Sequence, residues 1–455
     1  MMRIFKACDI RGKVPDELDE SSAHRIGRAV GTRLGRKDVL VAGDLRLSTL
    51  SLKDALTRGL LDSGCNVIDL GTIPTPTFYR ARHLLRTDAG VMVTASHNPP
   101  EYNGFKITLG FLPITEEELA DVRSLAEDEA FSSGSGQSRR FDVLPEYETF
   151  IVAEGRRLME GVASLPPVVV DCGNGSYSEI APRAFQALGI PICPLYCTPD
   201  GSFPNRSPNS AIASNLTMLS RTVRKEHAHL GVAFDGDGDR VSFADETGAI
   251  LGADTAIAIF ARYLPGGIRQ NDAVVLDIKC GMAASEVVRG LGARPLIEKS
   301  GHTFIKTRMI LESAPFGGEV SGHFFFGHLQ GGDDGLYAAL LMTSIIARHG
   351  PLSYLAKQVP QYVSTPDIRV PCYPDLALFD SIAAAFPVEQ VSRLDGVRVI
   401  FSDGWALARP SVTEPAVTLR FEGRNREALR NIIRQFLAPS PWLEEVAKKS
   451  GLSLD

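Results

Sequence analysis

Residues 39–94 read VLVAGDLRLSTLSLKDALTRGLLDSGCNVIDLGTIPTPTFYRARHLLRTDAGVMVT, and their periodicity decides the fold. VLVAG (39–43), NVIDLG (66–71) and GVMVT (90–94) are apolar runs of strand length. Between them lie SLKDALTRGLLDSG (51–64), an amphipathic helical pattern, and PTPTFYRARHLL (74–85), a second helix. Strand, helix, strand, helix, strand predicts a largely parallel sheet covered by helices.

The pattern recurs twice. PPVVVD (166–171), SEIAPRAFQALG (178–189), IPICPLY (190–196), a helix near NLTMLSRTVRKEH (215–227) and LGVAF (230–234) form a second set, ending at Asp235. AVVLDI (273–278), MAASEVVRGLG (282–292), ARPLIE (293–298), TFIKTRMILES (303–313) and FGGE (316–319) form a third, ending around Glu319. The three sets share no residue-level identity, so the repeat is architectural. Towards the C-terminus DGVRVIFS (395–402) and GWALARP (404–410) predict a hairpin around Ser402-Asp403-Gly404. The strand AVTLRFEG (416–423) and the helix REALRNIIRQFLA (426–438) follow. The expected class is α/β: three successive βαβαβ-type mixed-sheet domains plus a smaller C-terminal α+β domain. The polar segment SSGSGQSRR (132–140) is expected to be an exposed loop or linker.

Each repeat ends its last strand in a polar loop: ASHN, DGDGDR or GEVSGH. Ligands of open α/β sheets sit at the carboxyl ends of strands, so the three loops are expected to face one cleft. DGDGDR (235–240) is the most specific local signal. Asp235, Asp237 and Asp239 alternate with residues that include two glycines, so a tight loop can turn all three carboxylates towards one point. Such carboxylates repel unless a cation holds them. An EF-hand loop is the rival, because Glu246 falls at its twelfth position. Arg240 stands where that loop needs glycine, however, and the flanks read as strands. The donor set suits Mg²⁺ with one more oxygen ligand. Ser96, at the end of a core strand with His97 and Lys106 nearby, supplies that ligand if its hydroxyl carries a phosphoryl group. A turn serine before proline is the bland alternative.

TASHNPPEYNGFK, DGDGDR, KSGHTFIK, GEVSGH and RPSVTEP, in this order, resemble the α-D-phosphohexomutase family, most closely its bacterial phosphomannomutase/phosphoglucomutase branch. The resemblance runs from KACDIRG to LRFEG. It implies four domains around a central cleft, placed here as 1–143 (phosphoserine), 144–249 (Mg²⁺-binding), 250–361 (sugar recognition) and 362–455 (phosphate-binding). Ser96 is then the phosphoserine and a metal ligand with Asp235, Asp237 and Asp239. Arg11 and Lys106 lie beside the phosphoryl group, His97 and Arg240 add donors, and His302 handles protons. Glu319, Ser321 and His323 read the sugar, Lys279 contacts substrate or phosphate, and Arg409, Ser411 and Thr413 grip the phosphate that is not transferred. Two positions depart from the pattern: Cys8 where an aromatic residue is usual, and Val412 where Asn is frequent.

The implied activity interconverts 1-phospho and 6-phospho hexoses, of mannose or glucose, through a phosphoserine and a hexose 1,6-bisphosphate. A phosphoglucosamine mutase is the main alternative. A phosphatase would not need the separate RPSVTEP grip, and a phosphosugar-binding regulator would need neither Ser96 nor the aspartates. The bulk properties agree. At 455 residues, 44% hydrophobic and 22% charged, the chain favours several domains. A net charge of -6 argues against nucleic acid or an anionic membrane as partner. MMRIFKACDIRG lacks the apolar core of a signal peptide and no apolar run approaches a membrane span, so a cytoplasmic monomer or small homo-oligomer is expected. The cysteines, Cys8, Cys65, Cys172, Cys193, Cys197, Cys280 and Cys372, are scattered without a CxxC pair, so no disulfide framework or thiolate zinc site is expected.

Overall fold

The computed structural model describes residues 4–372, 376–411 and 416–452. In the first unit, Asp38–Gly43 pairs in parallel with both Asn66–Thr72 and Gly90–Val93, as the 39–94 pattern predicts. The next strand, Tyr102–Thr108, is antiparallel to Gly90–Val93, and Ile10–Lys13 lies antiparallel beside it. The chain therefore reverses between Val93 and Tyr102 instead of crossing over. Pro99 and Pro100 offer no N–H to extend a ladder, and the turn closes through Asn98 N to Ala95 O (2.9 Å) and Tyr102 N to Pro99 O (3.0 Å).

The same device recurs. In the second unit Val168–Asp171 is parallel to Ile192–Leu195 and Leu230–Phe234, and Val241–Ala244 returns antiparallel on Leu230–Phe234. In the third, Ala273–Asp277 is parallel to Arg294–Glu298 and Phe316–Gly318, and Phe324–Phe326 returns on Phe316–Gly318. Each motif loop is thus the reversal between a buried parallel strand and an antiparallel one. The tail of the 132–140 segment departs from its expected role as a loop. Ser138–Arg140 forms an edge strand parallel to Asn66–Thr72, because its backbone meets the open side of that strand.

The C-terminal unit contains the expected hairpin, Val397–Phe401 with Gly404–Pro410, and Ala416–Gly423 beside it. Arg426–Leu437 covers this sheet with Ile432, Ile433, Phe436 and Leu437. It is fastened to the third unit by polar contacts. Glu422 Oε1 accepts from Met282 N (2.7 Å) and Trp405 Nε1 (3.0 Å), and Arg398 Nη2 donates to Cys280 O (3.1 Å).

Apolar side chains of the second and third units merge into one core. The helix Gly335–His349 runs through it, buried from Gly335 to Ile346. Its N-cap, Asp334, accepts from Leu336 N (2.9 Å) and Tyr337 N (3.0 Å), and also from Tyr177 Oη (3.0 Å) and Tyr147 Oη (2.9 Å). One carboxylate thereby ties this helix to a loop of the second unit and to the helix Leu144–Met159. Asp334→Ala removes the cap and leaves one buried phenol without an acceptor, since Tyr147 and Tyr177 still bond to each other at 2.6 Å. The expected cost is roughly 2–4 kcal/mol of stability, read as a lower urea midpoint.

Candidate active site

The three reversals meet. Ser96 has φ +49°, a left-handed conformation uncommon outside glycine. It is over-determined by its surroundings. Ser96 N donates to Thr94 Oγ1 (2.9 Å), and the wholly buried Arg46 donates to four carbonyls of this loop: Ser96 (2.7 Å), Asn98 (2.6 Å), Pro99 (2.7 Å) and Tyr102 (3.0 Å). Asp44 holds the guanidinium through Nε (3.1 Å). The sequence analysis missed Arg46, although a charged Asp-x-Arg directly after a buried strand was a visible signal.

Ser96 Oγ donates to Asp235 Oδ2 at 2.7 Å. Asp235 Oδ1 accepts from the backbone N–H of Gly238 (3.0 Å) and Arg240 (3.1 Å), which folds the DGDGDR loop around its first carboxylate. Asp237 Oδ2 accepts from Thr75 Oγ1 (2.6 Å) and Lys106 Nζ (2.8 Å), and Lys106 also pairs with Asp239. A side chain at Gly236 would collide with the Ser96 carbonyl, so glycine is needed for the two loops to touch.

All three aspartates are buried, each offering an oxygen within 4.8 Å of the others. Burial and the charges of Asp237 and Asp239 push the Asp235 carboxyl up to about 8. Burial also acts on Asp237, but the ammonium of Lys106 overcomes it and holds that carboxyl low. Asp237 Oδ1 and Asp239 Oδ1 are buried without a hydrogen bond among the described residues. Orphaned, mutually repelling carboxylate oxygens beside a serine hydroxyl fit a hard divalent cation.

A chain of polar groups leads away from this loop. Arg240 Nε donates to His323 Nε2 (2.9 Å), which leaves the ring proton on Nδ1, 2.6 Å from Asp333 Oδ2. Burial disfavours protonated His323, yet Asp239 and Asp333 raise its basicity above that of a free imidazole. For His302, whose ring centroid is 6.1 Å from that of His323, burial and Lys106 outweigh the pull of Asp333 and lower it to about 3. His97 is likewise held neutral by burial and by Arg240 and Arg11, so it offers an N–H donor and not the cationic neighbour expected beside Ser96. Arg11 reaches the loop by donating to Asn98 Oδ1 (2.7 Å).

In the third reversal, Glu319 Oε1 accepts from Ser321 Oγ (2.7 Å) while Oε2 is buried without a hydrogen bond among the described residues. Burial opposes its charge, but His323, Arg240 and Lys279 together keep it ionised below the usual range. Cys8 fills the junction of the first and third units. It accepts from Thr303 Oγ1 (3.1 Å) and lies so close to Gly301 that a side chain there would meet its sulfur.

Arg409 and Ser411 lie apart from this cluster. They line a cavity of 480 Å³ with Lys6, Lys299, Ser300 and Asp395. Arg409 Nη2 pairs with Asp395 Oδ2 at 3.0 Å. Sequence reasoning missed Lys6, Lys299 and Ser300, although the last two begin the KSGH segment. Thr413 and Val412 lie outside the described residues.

The chain is thus a multidomain α/β protein in which a strand-end serine meets a buried carboxylate loop, with a separate cavity that Lys6, Lys299 and Arg409 help to line. Four family models cover the chain in order. They are phosphoglucomutase/phosphomannomutase alpha/beta/alpha domains I (residues 2–133), II (155–248) and III (253–362) and the C-terminal domain (368–438). The chain belongs to the phosphoglucomutase/phosphomannomutase family. It is 39% identical over 440 residues to a phosphomannomutase/phosphoglucomutase of Pseudomonas aeruginosa, covering 94% of this chain and 93% of that protein. It is 34% identical over 452 residues to a phosphoglucomutase of Neisseria meningitidis, covering 96% of each. A crystal structure of a phosphoglucomutase/phosphomannomutase family protein from Burkholderia thailandensis superposes with TM-score 0.87 at 35% identity, covering 97% of this chain and 98% of that one.

Arg46→Met should disturb the site without touching it. Four carbonyls, that of Ser96 fully buried and the others partly, lose their donor and the buried Asp44 loses its guanidinium partner, a change expected to cost roughly 3–5 kcal/mol of stability. Urea unfolding and turnover measured on one preparation check this; an unchanged midpoint means that the Ser96 loop is held by other contacts.

Proposed function

We propose that this protein interconverts 1-phospho and 6-phospho forms of mannose and glucose, with Ser96 as the phosphoryl carrier. The observation that carries the proposal is the 2.7 Å contact between Ser96 Oγ and Asp235 inside a buried carboxylate loop, with a separate basic cavity at Arg409. Isomerisation needs two phosphate sites, one for the group in transfer and one for the group at rest. Hydrolysis needs only the first.

In the proposed cycle a free hydroxyl of the bound sugar attacks the phosphorus on Ser96, the Oγ–P bond breaks, and its electron pair stays on Oγ. Lys106 and Arg240 stabilise the charge that moves between the oxygens. His323 is not free to take the hydroxyl proton, because Nε2 already accepts from Arg240 and Nδ1 carries its proton towards Asp333. His302, neutral and with Nε2 unpartnered among the described residues, is the group proposed to take it. Asp235, Asp237, Asp239 and Ser96 hold Mg²⁺, which supplies positive charge to the transferring group. The resulting hexose 1,6-bisphosphate turns over, so that its other phosphate returns to Ser96. Glu319 and Ser321 hold sugar hydroxyls in either orientation, while Arg409, Ser411, Thr413, Lys299 and Ser300 hold the resting phosphate. Lys279, His97 and Arg11 supply further donors.

The roles divide among four domains at 1–143, 144–249, 250–361 and 362–455. No described helix is long and apolar enough to cross a membrane. A cytoplasmic monomer or small homo-oligomer using phosphosugar substrates fits this reading.

A coupled assay with mannose, glucose and glucosamine 1-phosphates in parallel tests the proposal. Turnover of the first two above the third is expected, and preference for glucosamine 1-phosphate would overturn the sugar assignment. Ser96→Ala should fold normally and lose roughly a thousandfold or more of kcat. Activity should also vanish on chelation and return with Mg²⁺; activity that survives chelation removes the metal from the scheme.

Arg409→Ala should lower kcat/KM by roughly 2–4 kcal/mol, mainly through KM, as one charged phosphate contact is lost. Steady-state kinetics with glucose 1-phosphate read the split, and an unchanged KM would place the resting phosphate elsewhere.

A further inference from the structure

Two of the free cysteines meet, although the sequence spacing gave no hint of a pair. Cys172 follows the strand Val168–Asp171, and Cys197 lies just beyond Ile192–Leu195, its parallel neighbour. Cys172 N to Leu195 O (3.0 Å) and Asn174 N to Tyr196 O (2.8 Å) carry the pairing past both strand ends. The two sulfurs come to 3.4 Å. Cys172 is fully buried under Tyr177, whereas Cys197 is partly exposed and links the pair to solvent. Neither thiol has a part in the proposed phosphoryl transfer.

We infer that Cys172 and Cys197 form an oxidative modification site, a dithiol that a hydroperoxide closes to a disulfide. Selectivity comes from the surroundings. Cys197 is the only cysteine whose thiol is made more acidic, through its contacts with the Cys172 sulfur and nearby backbone groups. Burial makes the others less acidic, pushing Cys8 up to about 12. The Cys197 thiolate attacks the outer oxygen of the peroxide, an S–O bond forms as the O–O bond breaks, and the departing alkoxide or hydroxide is protonated by water. Cys172 then attacks the sulfur of the Cys197 sulfenic acid. The S–S bond forms, and hydroxide leaves with the Cys172 proton as water. Two thiols and one hydroperoxide thus give one disulfide, one alcohol (or water) and one water.

Closure has a direct mechanical consequence. The sulfurs must move from 3.4 Å to about 2.0 Å apart, drawing on the loop that starts at Cys172. That loop supports the carboxylates. Ser176 N donates to Gly236 O (2.9 Å), and Gly175 packs against the carbonyls of Asp235 and Gly236 with no space for a side chain. The disulfide therefore pulls on the backbone that carries DGDGDR, and oxidation lowers turnover.

The test is exposure of the full chain with Mg²⁺ to hydrogen peroxide, followed by alkylation, non-reducing digestion and mass spectrometry. The expected product has two fewer free thiols and a Cys172–Cys197 linked peptide, both reversed by dithiothreitol. Cys197→Ser should keep basal activity and form no such peptide. In Cys172→Ala, Cys197 should accumulate as a sulfenic acid captured by dimedone. Activity of the wild type should fall on oxidation and recover on reduction, while Cys197→Ser keeps its activity under the same treatment. Recovery of both peptides as free thiols, or linkage of either cysteine to a different one, would overturn the inference. The thiol chemistry is read from peptides alone, so its failure is distinguishable from failure of the mutase reading.

Discussion

Three buried carboxylates within a few ångströms of one another are a constraint that the rest of the molecule answers. Isolated anions of this kind are costly to bury, and within the second unit Arg240, 3.9 Å from Asp235, offsets them only in part. The rest of the compensation comes from elsewhere. Lys106, on a strand of the first unit, reaches Asp237 and Asp239, and Thr75 and Ser96 add donors from the same unit. Arg240 is steadied by His323 of the third. The units meet where charge demands it, so the cleft is organised around DGDGDR.

Much of this was legible. The parallel cores followed from period and length, and the hairpin at Ser402-Asp403-Gly404 followed from turn chemistry. DGDGDR and Ser96 stood out because both break an apolar strand with polar residues. What stayed hidden was long-range. Nothing in GVMVTASHNPP states that the next strand returns antiparallel, since two prolines signal only that the ladder stops. Asp333 carries no local signal, and Arg46 only that of a charge directly after a buried strand; the partners of both appear only when the Ser96 loop and His323 arrive against them. His97 and Lys106 looked alike as basic neighbours. Burial separates them, because Lys106 has carboxylate partners and His97 faces two guanidiniums.

The repeated reversal explains how three different chemistries arise on one plan. A parallel strand delivers its last residue at the sheet edge, and the antiparallel return keeps the loop short and its side chains aimed outward. In the first unit the loop presents a hydroxyl, in the second carboxylates, in the third a glutamate and a serine. The fourth unit joins by Glu422 and Arg398 and by an apolar cluster of Ile278 with Trp405 and Leu407, contacts that leave its own cavity beside the third unit.

If that cavity holds the resting phosphate as proposed, the Arg409–Asp395 pair would make it a valence filter. An incoming anion has to compete with a carboxylate that is already tethered there at no translational cost. A singly charged guest merely exchanges one such partner for another and gains little. A doubly charged phosphate monoester would engage Arg409 and Lys299 together and so outweigh both resident carboxylates, Asp395 and the Glu116 that pairs with Lys299. On the proposed reading this favours ester dianions over simple carboxylates.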